Sequence, residues 1–202
     1  MNETKIRLSE EEEELVKNAE IILTKNTVMK KMHGLLEEVQ DLHQSYLSDR
    51  DFIPDEVRRV SPKISRGENF QGLPYLVLDQ PRFFEINNIF AIRTLFWWGR
   101  HFIITLHLSG RYKDMFEPVL LDSMQELASQ DYFFCTSEEE WKHHIEEDNY
   151  RSLHKLERTD LELQGRSRNF LKLAKKIEFG DINNMIPRLH DEYKILVSFL
   201  AP

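Results

Sequence analysis

The chain has 202 residues, 41% of them hydrophobic, and a formal net charge of −8. This length and composition suffice for a full hydrophobic core, and a single domain over residues 1–202 is the simplest expectation. Nucleic-acid-binding proteins usually carry a basic stripe, so the acidic balance argues against nucleic acid as a partner.

Sequence features also bear on the compartment. No window approaches the roughly 20 uninterrupted apolar residues of a membrane span, because Arg93, Arg100 and His101 interrupt the longest apolar runs. Residues 1–14 are polar and lack the basic start and apolar centre of a secretory signal. The single cysteine, Cys135, cannot form an intramolecular disulfide, which fits a reducing compartment. We therefore expect a cytoplasmic protein without a membrane partner.

Residues 1–49 predict an N-terminal helical segment. Ser9, followed three residues later by Glu12, is a capping-box pattern that begins a helix. The polar residues 24–27 are expected to break this helix. A second helix follows, with an apolar stripe at three- and four-residue steps that consists of Val28, Met32, Leu35, Val39, Leu42 and Tyr46. Residues 48–72 then read as a polar connector.

A β-hairpin is predicted within residues 73–108, which concentrate the β-forming residue types. The two apolar runs 89–98 and 101–108 are separated only by Gly99 and Arg100, a spacing that predicts a two-residue turn. Such a turn sets the register. One face would then be mixed and carry Ile92, Thr94, Phe96, Trp98, His101, Ile103, Thr105 and His107. The other would meet helices and carry Ala91, Arg93, Leu95, Trp97, Phe102, Ile104, Leu106 and Leu108.

Arg93 is an unusual residue for a face that meets helices. A buried guanidinium costs several kcal/mol unless a carboxylate meets it, so we expect a partner in Asp79 or Glu85, with Arg82 close by. Two interpretations remain open. A structural ion pair is favoured, and the alternative is a clamp for a carboxylate or phosphate ligand.

After the hairpin, short strands and helices are predicted. They are a helix over 117–129, a strand over 132–135, helices that begin at Ser137 and Thr159, a helix over 170–177 and a final helix over 186–200. The expected fold class is α+β. An antiparallel sheet centred on the hairpin, with its core in residues 73–135, packs with the N-terminal helices and with C-terminal helices over 137–200.

Catalytic and metal-binding motifs are not recognisable in this sequence. His143 and Glu147 would share one face of a predicted helix, but a third ligand cannot be assigned, and a solvated helix face is the preferred interpretation. Gly-rich phosphate loops, Gly-x-Ser-x-Gly elbows and Cys-x-x-Cys pairs are also missing from the sequence. We predict no catalytic residue, metal or cofactor, and the question of an enzyme stays open with a leaning against it.

Three short blocks resemble conserved bacterial proteins of unknown function. They are Gly-Leu-Pro-Tyr at 72–75, Asp-Gln-Pro-Arg at 79–82 and Phe-Trp-Trp-Gly at 96–99. The resemblance implies no activity and transfers no functional residue.

The leading functional hypothesis is a non-catalytic intracellular protein that binds a small molecule or another protein. The alternative is an enzyme or small-molecule sensor whose site lies on the mixed face of the hairpin. A purely structural explanation for that face is that its side chains form ordinary cross-strand pairs that stabilise the sheet. The candidate ligand-binding residues are Arg66, Arg93, Thr94, Trp98, His101, Thr105 and His107.

The N-terminal helices also predict self-association. Leu15, Ile22, Met29 and Leu36 recur at every seventh position beside the main stripe. One domain need not cover both stripes, so we expect a homodimer through these helices. In the alternative, the C-terminal helix over 185–200 covers the second stripe within the same chain.

Overall fold

The structure, a computed structural model, describes residues 7–201. In this range the α-helices are α1 (Glu10–Lys17), α2 (Ala19–Ser48), α3 (Asp55–Arg58), α4 (Arg111–Asp122), α5 (Met124–Ser129), α6 (Arg158–Ser167) and α7 (Met185–Ser198). The strands are β1 (Lys63–Phe70), β2 (Leu73–Phe84), β3 (Ile89–Trp97), β4 (Phe102–Ser109), β5 (Phe133–Cys135), β6 (Tyr150–Ser152) and β7 (Phe170–Ile177). They form one antiparallel sheet in the order β1-β2-β3-β4-β7-β5-β6, which confirms the predicted α+β class.

The N-terminal helices begin as predicted but break elsewhere. The capping box at Ser9 is present, while the start of the predicted segment 1–49 lies outside the described residues. The break expected at 24–27 is wrong, because α2 is continuous there and the interruption falls at Asn18. The helix accommodates Thr27 by turning its hydroxyl onto the carbonyl of Leu23, at 2.9 Å.

One side of the sheet packs on α2, α4 and α7, and we call it the helix face. From β2 to β4 its residues are Leu76, Leu78, Phe90, Ile92, Thr94, Phe96, Phe102, Ile104, Leu106 and Leu108. All of them are buried, as are Met29, Met32, Leu36, Val39 and Leu47 of α2. The buried stripe of α2 is thus rotated by about one residue from the predicted one, since Val28 and Leu35 are only partly buried and Leu42 is exposed.

The hairpin register differs by one residue from the predicted one. Trp97 and His101 flank a three-residue turn, with the amide of Trp97 donating to the carbonyl of His101 at 3.2 Å. Gly99 adopts a φ of +69° within this turn, a conformation that glycine reaches without steric cost and that suits a three-residue hairpin loop. The shift leaves Phe102 on the helix face as predicted but pairs it with Phe96, and it moves Trp97 to the other face.

Four of the predicted mixed-face residues change sides as a result, namely Ile92, Thr94, Phe96 and Trp98. Thr94 lies on the helix face, and Trp98, in the turn, packs on the same side against Phe96. Arg93, predicted on the helix-packed face, lies on the opposite face. Thr105 and His107 share that opposite face with Arg93.

The sheet is wider than the predicted core of residues 73–135. Residues 170–177, predicted as a helix, form the strand β7 between β4 and β5, and β1 lies within the predicted connector. The alternation of Leu171 and Leu173 with Lys172 and Ala174 is the two-residue period of a strand. The segment 137–200 therefore combines α6 and α7 with two strands.

Residues 136–149 form an irregular segment, the strap, that joins β5 to β6 across the second face of the sheet. The helix predicted from Ser137 is wrong. The carbonyls of Glu140 and Lys142 instead accept hydrogen bonds from the ammonium of Lys172 on β7, at 2.8 and 2.5 Å. These two hydrogen bonds attach the irregular backbone of the strap to β7.

The helices show no membrane-spanning character. Within residues 7–201, none combines the length and the apolar composition that crossing a bilayer requires.

Candidate functional site

The second side of the sheet, which we call the strap face, is partly polar. Its residues on the central strands are Val77, Asp79, Arg93, Leu95, Trp97, Ile103, Thr105, His107, Lys172 and Ala174. Asp79, Thr105, His107 and Lys172 are buried beneath or beside the strap. Buried polar groups need partners, and the partners of this face define the candidate site.

Arg93 and Asp79 form the centre of this polar cluster. They are opposite residues of β3 and β2, and Arg93 Nε and Nη2 donate to the two carboxylate oxygens of Asp79 at 2.7 and 3.0 Å. The predicted ion pair is thus confirmed with Asp79 as the partner, although Arg82 does not join it and instead donates to the carbonyl of Ser61. The two-point geometry orients the guanidinium rigidly.

The strap contributes His143 to the same cluster. Its Nε2 lies 2.6 Å from Arg93 Nη1. An arginine can only donate, so Nε2 must accept and the ring must be neutral with its proton on Nδ1. Burial, together with the charges of Arg93 and Lys172, lowers the pKa of His143 to about 2. Its Nδ1 is buried without a hydrogen-bond partner among the described residues.

A second group of contacts holds the strap nearby. His107 Nε2 lies 2.8 Å from a carboxylate oxygen of Glu140, and burial lowers the pKa of His107 although Glu140 opposes this effect. Lys172, next to His107 in the sheet, binds two strap carbonyls, and burial lowers its pKa to about 8. Trp141 packs edge-on to the His107 ring at 5.5 Å.

Cys135 lies at the end of β5 and is buried. Its thiol lies 3.6 Å from Asn149 Oδ1, and burial raises its pKa. Nucleophilic cysteines have a lowered pKa, so these surroundings indicate a structural thiol.

A cavity of about 210 Å³ opens beside Arg93 between β1, β2, β3 and the strap. Its walls combine an apolar part with a polar end. The lining residues are Ser65, Phe70, Tyr75, Val77, Asp79, Arg93, Leu95 and His143. Concave sites with mostly apolar walls and a few convergent polar groups are typical of small-molecule binding.

The polar side chains at the end of this cavity are already paired within the protein. Asp79 balances the charge of Arg93, and Arg93 occupies the one accepting nitrogen of His143. Lys172 is committed to strap carbonyls and does not line the cavity. The polar end is therefore organised by contacts within the protein itself.

Among the predicted ligand-binding residues, the structure brings only Arg93 to the cavity. Thr105 and His107 are buried on the same face but do not line the cavity. His101 lies at the hairpin end against the Trp97 ring, where burial lowers its pKa. Thr94 and Trp98 belong to the helix face. Arg66, on the edge strand β1, is exposed and paired with Glu68.

Sequence reasoning missed most of the residues around Arg93. His143 was assigned to a solvated helix face, and Ser65 and Phe70 were assigned to a connector. The alternation in residues 170–177 was the available signal for Lys172, because it predicts a strand with Lys172 opposite the leucines. For His143, no local sequence pattern gives such a signal, because its position depends on contacts with residues distant in sequence.

Comparison of the chain with protein-family models, with curated proteins and with solved structures gives no match. The resemblance to conserved bacterial proteins therefore stays a prediction, and the functional argument depends on the geometry alone.

Proposed function

We propose that this protein is a non-catalytic binding protein and that its ligand is a small molecule held in the cavity beside Arg93. The observation that carries this proposal is the cavity itself, in which Phe70, Tyr75, Val77 and Leu95 face a hydrogen-bonded polar end. The ion pair organises that end before any ligand arrives, so binding orders few additional side chains.

A small-molecule screen read by thermal melting tests this proposal. A ligand that binds the folded state raises the melting temperature, and the increase grows with the logarithm of the ligand concentration once this exceeds Kd. The variant Val77→Phe fills the cavity and should abolish the increase, while Ile86→Phe, at a fully exposed turn position, should preserve it. A ligand whose effect survives Val77→Phe binds elsewhere and contradicts the proposed site.

We also propose a cytoplasmic location. Its support is the one cysteine of the chain, Cys135, which is buried and unpaired as expected in a reducing compartment. Fractionation of the native host cell, with detection of this chain, tests the location. Recovery from the extracellular or membrane fraction would contradict it.

A second candidate function is self-association through the N-terminal arm, which we define as residues 10–27. Leu15, Val16, Ile22 and Leu23 of this arm are exposed, whereas Met29, further along α2, is buried. An isolated helix as short as α1 is marginal in water, so a covering partner would stabilise it.

Charge complementarity favours a second copy of the chain as that partner. The first turns of α1 carry the acidic run 10–14, and Lys30 and Lys31 are exposed on α2. In an antiparallel pairing of two arms, these opposite charges would lie side by side around a two-fold axis.

Sedimentation at micromolar concentration tests this dimer. Ile22→Glu should convert a dimer to a monomer, while Leu163→Glu, at a similarly exposed position on α6, should leave the mass unchanged. A mass of one chain for the unchanged protein would eliminate the dimer.

A further inference from the structure

The charge balance of the cavity restricts the chemistry of its ligand. Arg93 contributes one positive charge, Asp79 one negative charge, and His143 none because it accepts from Arg93. Lys63 lies opposite Asp79 in the sheet register but is exposed and does not line the cavity. The polar end is therefore neutral as a whole. A charged ligand would lose its hydration on binding and would find no unpaired opposite charge in the cavity.

The same groups keep free hydrogen-bonding capacity. A guanidinium has five N–H groups, and Asp79 and His143 occupy three of them in Arg93, which leaves one on each terminal nitrogen. Each carboxylate oxygen of Asp79 accepts one bond from Arg93 and can accept another. Donors and acceptors thus lie side by side, an arrangement that an amide-like head group complements on both sides.

The size of the cavity limits the body of the ligand. An apolar cavity of about 150 Å³ holds a benzene molecule, and pockets for drug-sized ligands begin at about 300 Å³. At about 210 Å³, this cavity fits a single ring with a short head group. Phe70, Tyr75, Val77 and Leu95 give that ring an apolar surround.

We propose that the ligand of this cavity is an uncharged molecule of about one ring in size, with an apolar body and an amide-like head that both donates and accepts hydrogen bonds at Arg93 and Asp79. This inference rests on the proposed binding function and specifies its ligand class.

Four probes of similar size test the ligand class by titration followed by backbone-amide NMR. Benzamide has the donor and acceptor head, benzoate is its anionic counterpart, benzamidine its cationic counterpart, and ethylbenzene has no polar head. We expect benzamide to bind about tenfold more tightly than each of the others, the effect of roughly one net hydrogen bond. The shifted amides should belong to β1, β2, β3 and the strap.

Two variants check the location and the role of the charge balance. Ser65→Leu narrows the cavity from the edge strand and should weaken benzamide binding about tenfold, while Ser45→Leu on the exposed side of α2 should not. Asp79→Asn leaves the charge of Arg93 unbalanced and should reverse the preference, so that benzoate binds more tightly than benzamide. Thermal melting establishes that each variant is folded before titration.

The outcomes separate the two levels of the proposal. If benzoate or benzamidine binds the unchanged protein most tightly, or if all four probes bind equally, the ligand class is overturned and the binding function stands. If none of the probes shifts the cavity amides in a saturable manner, the proposed function fails, and the ligand class fails with it.

Discussion

The two faces of the sheet use the same strands but are covered in opposite ways. On the helix face, 34 of the residues that the structure describes form one buried apolar core, which includes residues of α2, α4 and α7. On the strap face, nine buried residues of the described range cluster, and charged groups such as Arg93 and Lys172 lie among them. The material that covers each face accounts for this difference.

A helix satisfies its own backbone hydrogen bonds and can therefore present an apolar surface to the sheet. The strap lacks such a ladder, so its carbonyls need donors from elsewhere. Lys172 supplies them for Glu140 and Lys142, and Arg168 supplies one for Ser137 at 3.1 Å. The strap face is therefore polar because the segment that covers it has an irregular backbone, whose carbonyls need donors from other parts of the chain.

The largest effect should come from breaking the central ion pair of the strap face. We expect Arg93→Met to lower the free energy of unfolding by about 3–5 kcal/mol, because Asp79 would stay buried without a counter-charge. Denaturant unfolding measures the loss. The double variant Arg93→Met with Asp79→Leu should recover most of it, and an equal loss in both variants would show that packing rather than charge stabilises the pair.

Neighbouring isoleucines on β4 provide a matched comparison of the two faces. Ile104 points to the helix face and Ile103 to the strap face, and both are fully buried. We expect Ile104→Ala to cost about 4 kcal/mol and Ile103→Ala about 2 kcal/mol, since an irregular strap can collapse into a cavity more easily than packed helices can. Urea titration of both variants checks the order, and a larger loss for Ile103→Ala would contradict it.

Acid should loosen the strap before it unfolds the sheet. With the strap closed, the pKa of His143 is about 2, mainly because of burial. When the strap opens, this pKa returns to its ordinary value of 6.5. The closed strap is thus fully stable above pH 6.5 and loses stability as the pH falls below that value. Between pH 7 and pH 5, protonation of His143 by itself should increase the opening equilibrium about 25-fold.

Hydrogen exchange of the strap amides, corrected for the intrinsic pH dependence, measures this opening. His143→Gln retains an acceptor for Arg93 but does not titrate, and it should remove the contribution of His143, about 25-fold, leaving that of His107. His43 gives the comparison on the other side, where it stacks on Tyr193 between α2 and α7 with a pKa lowered by burial to about 3. Protonation of His43 should increase hydrogen exchange of the amides in α2 and α7. If the strap amides and the amides of α2 and α7 showed the same pH sensitivity, separate opening of the strap would be contradicted.

The sequence predicted the α+β class because two-residue alternation and apolar stripes are local patterns. The pairing of Arg93 with Asp79 was also predictable, since a guanidinium inside a sheet requires a carboxylate. The register was not, because the choice between a two- and a three-residue turn around Gly99 depends on packing across the whole sheet. That single-residue difference moved Thr94 away from the site.

The strap could not be predicted for a related reason. Ser137 and Glu140 match a capping box, but Lys172, more than 30 positions away, binds the carbonyl of Glu140 and His107 binds its carboxylate. Tertiary hydrogen bonds therefore override the local helix signal, and the position of His143 follows from them.

The smallest effect should come from replacing Arg66, the candidate binding residue whose surroundings differ most from those of Arg93. Both arginines pair with a carboxylate, but the Arg66 and Glu68 side chains are 47% and 51% exposed, against 18% and 9% for Arg93 and Asp79. Water screens the exposed pair, and its formation restricts two long side chains, so such pairs contribute little to stability. We expect Arg66→Met to change neither the unfolding midpoint in urea nor the affinity for benzamide beyond experimental error. A measurable loss of benzamide binding would mean that the site extends around the edge strand β1, and it would remove the distinction between the strap face and the solvent-exposed edge of the sheet.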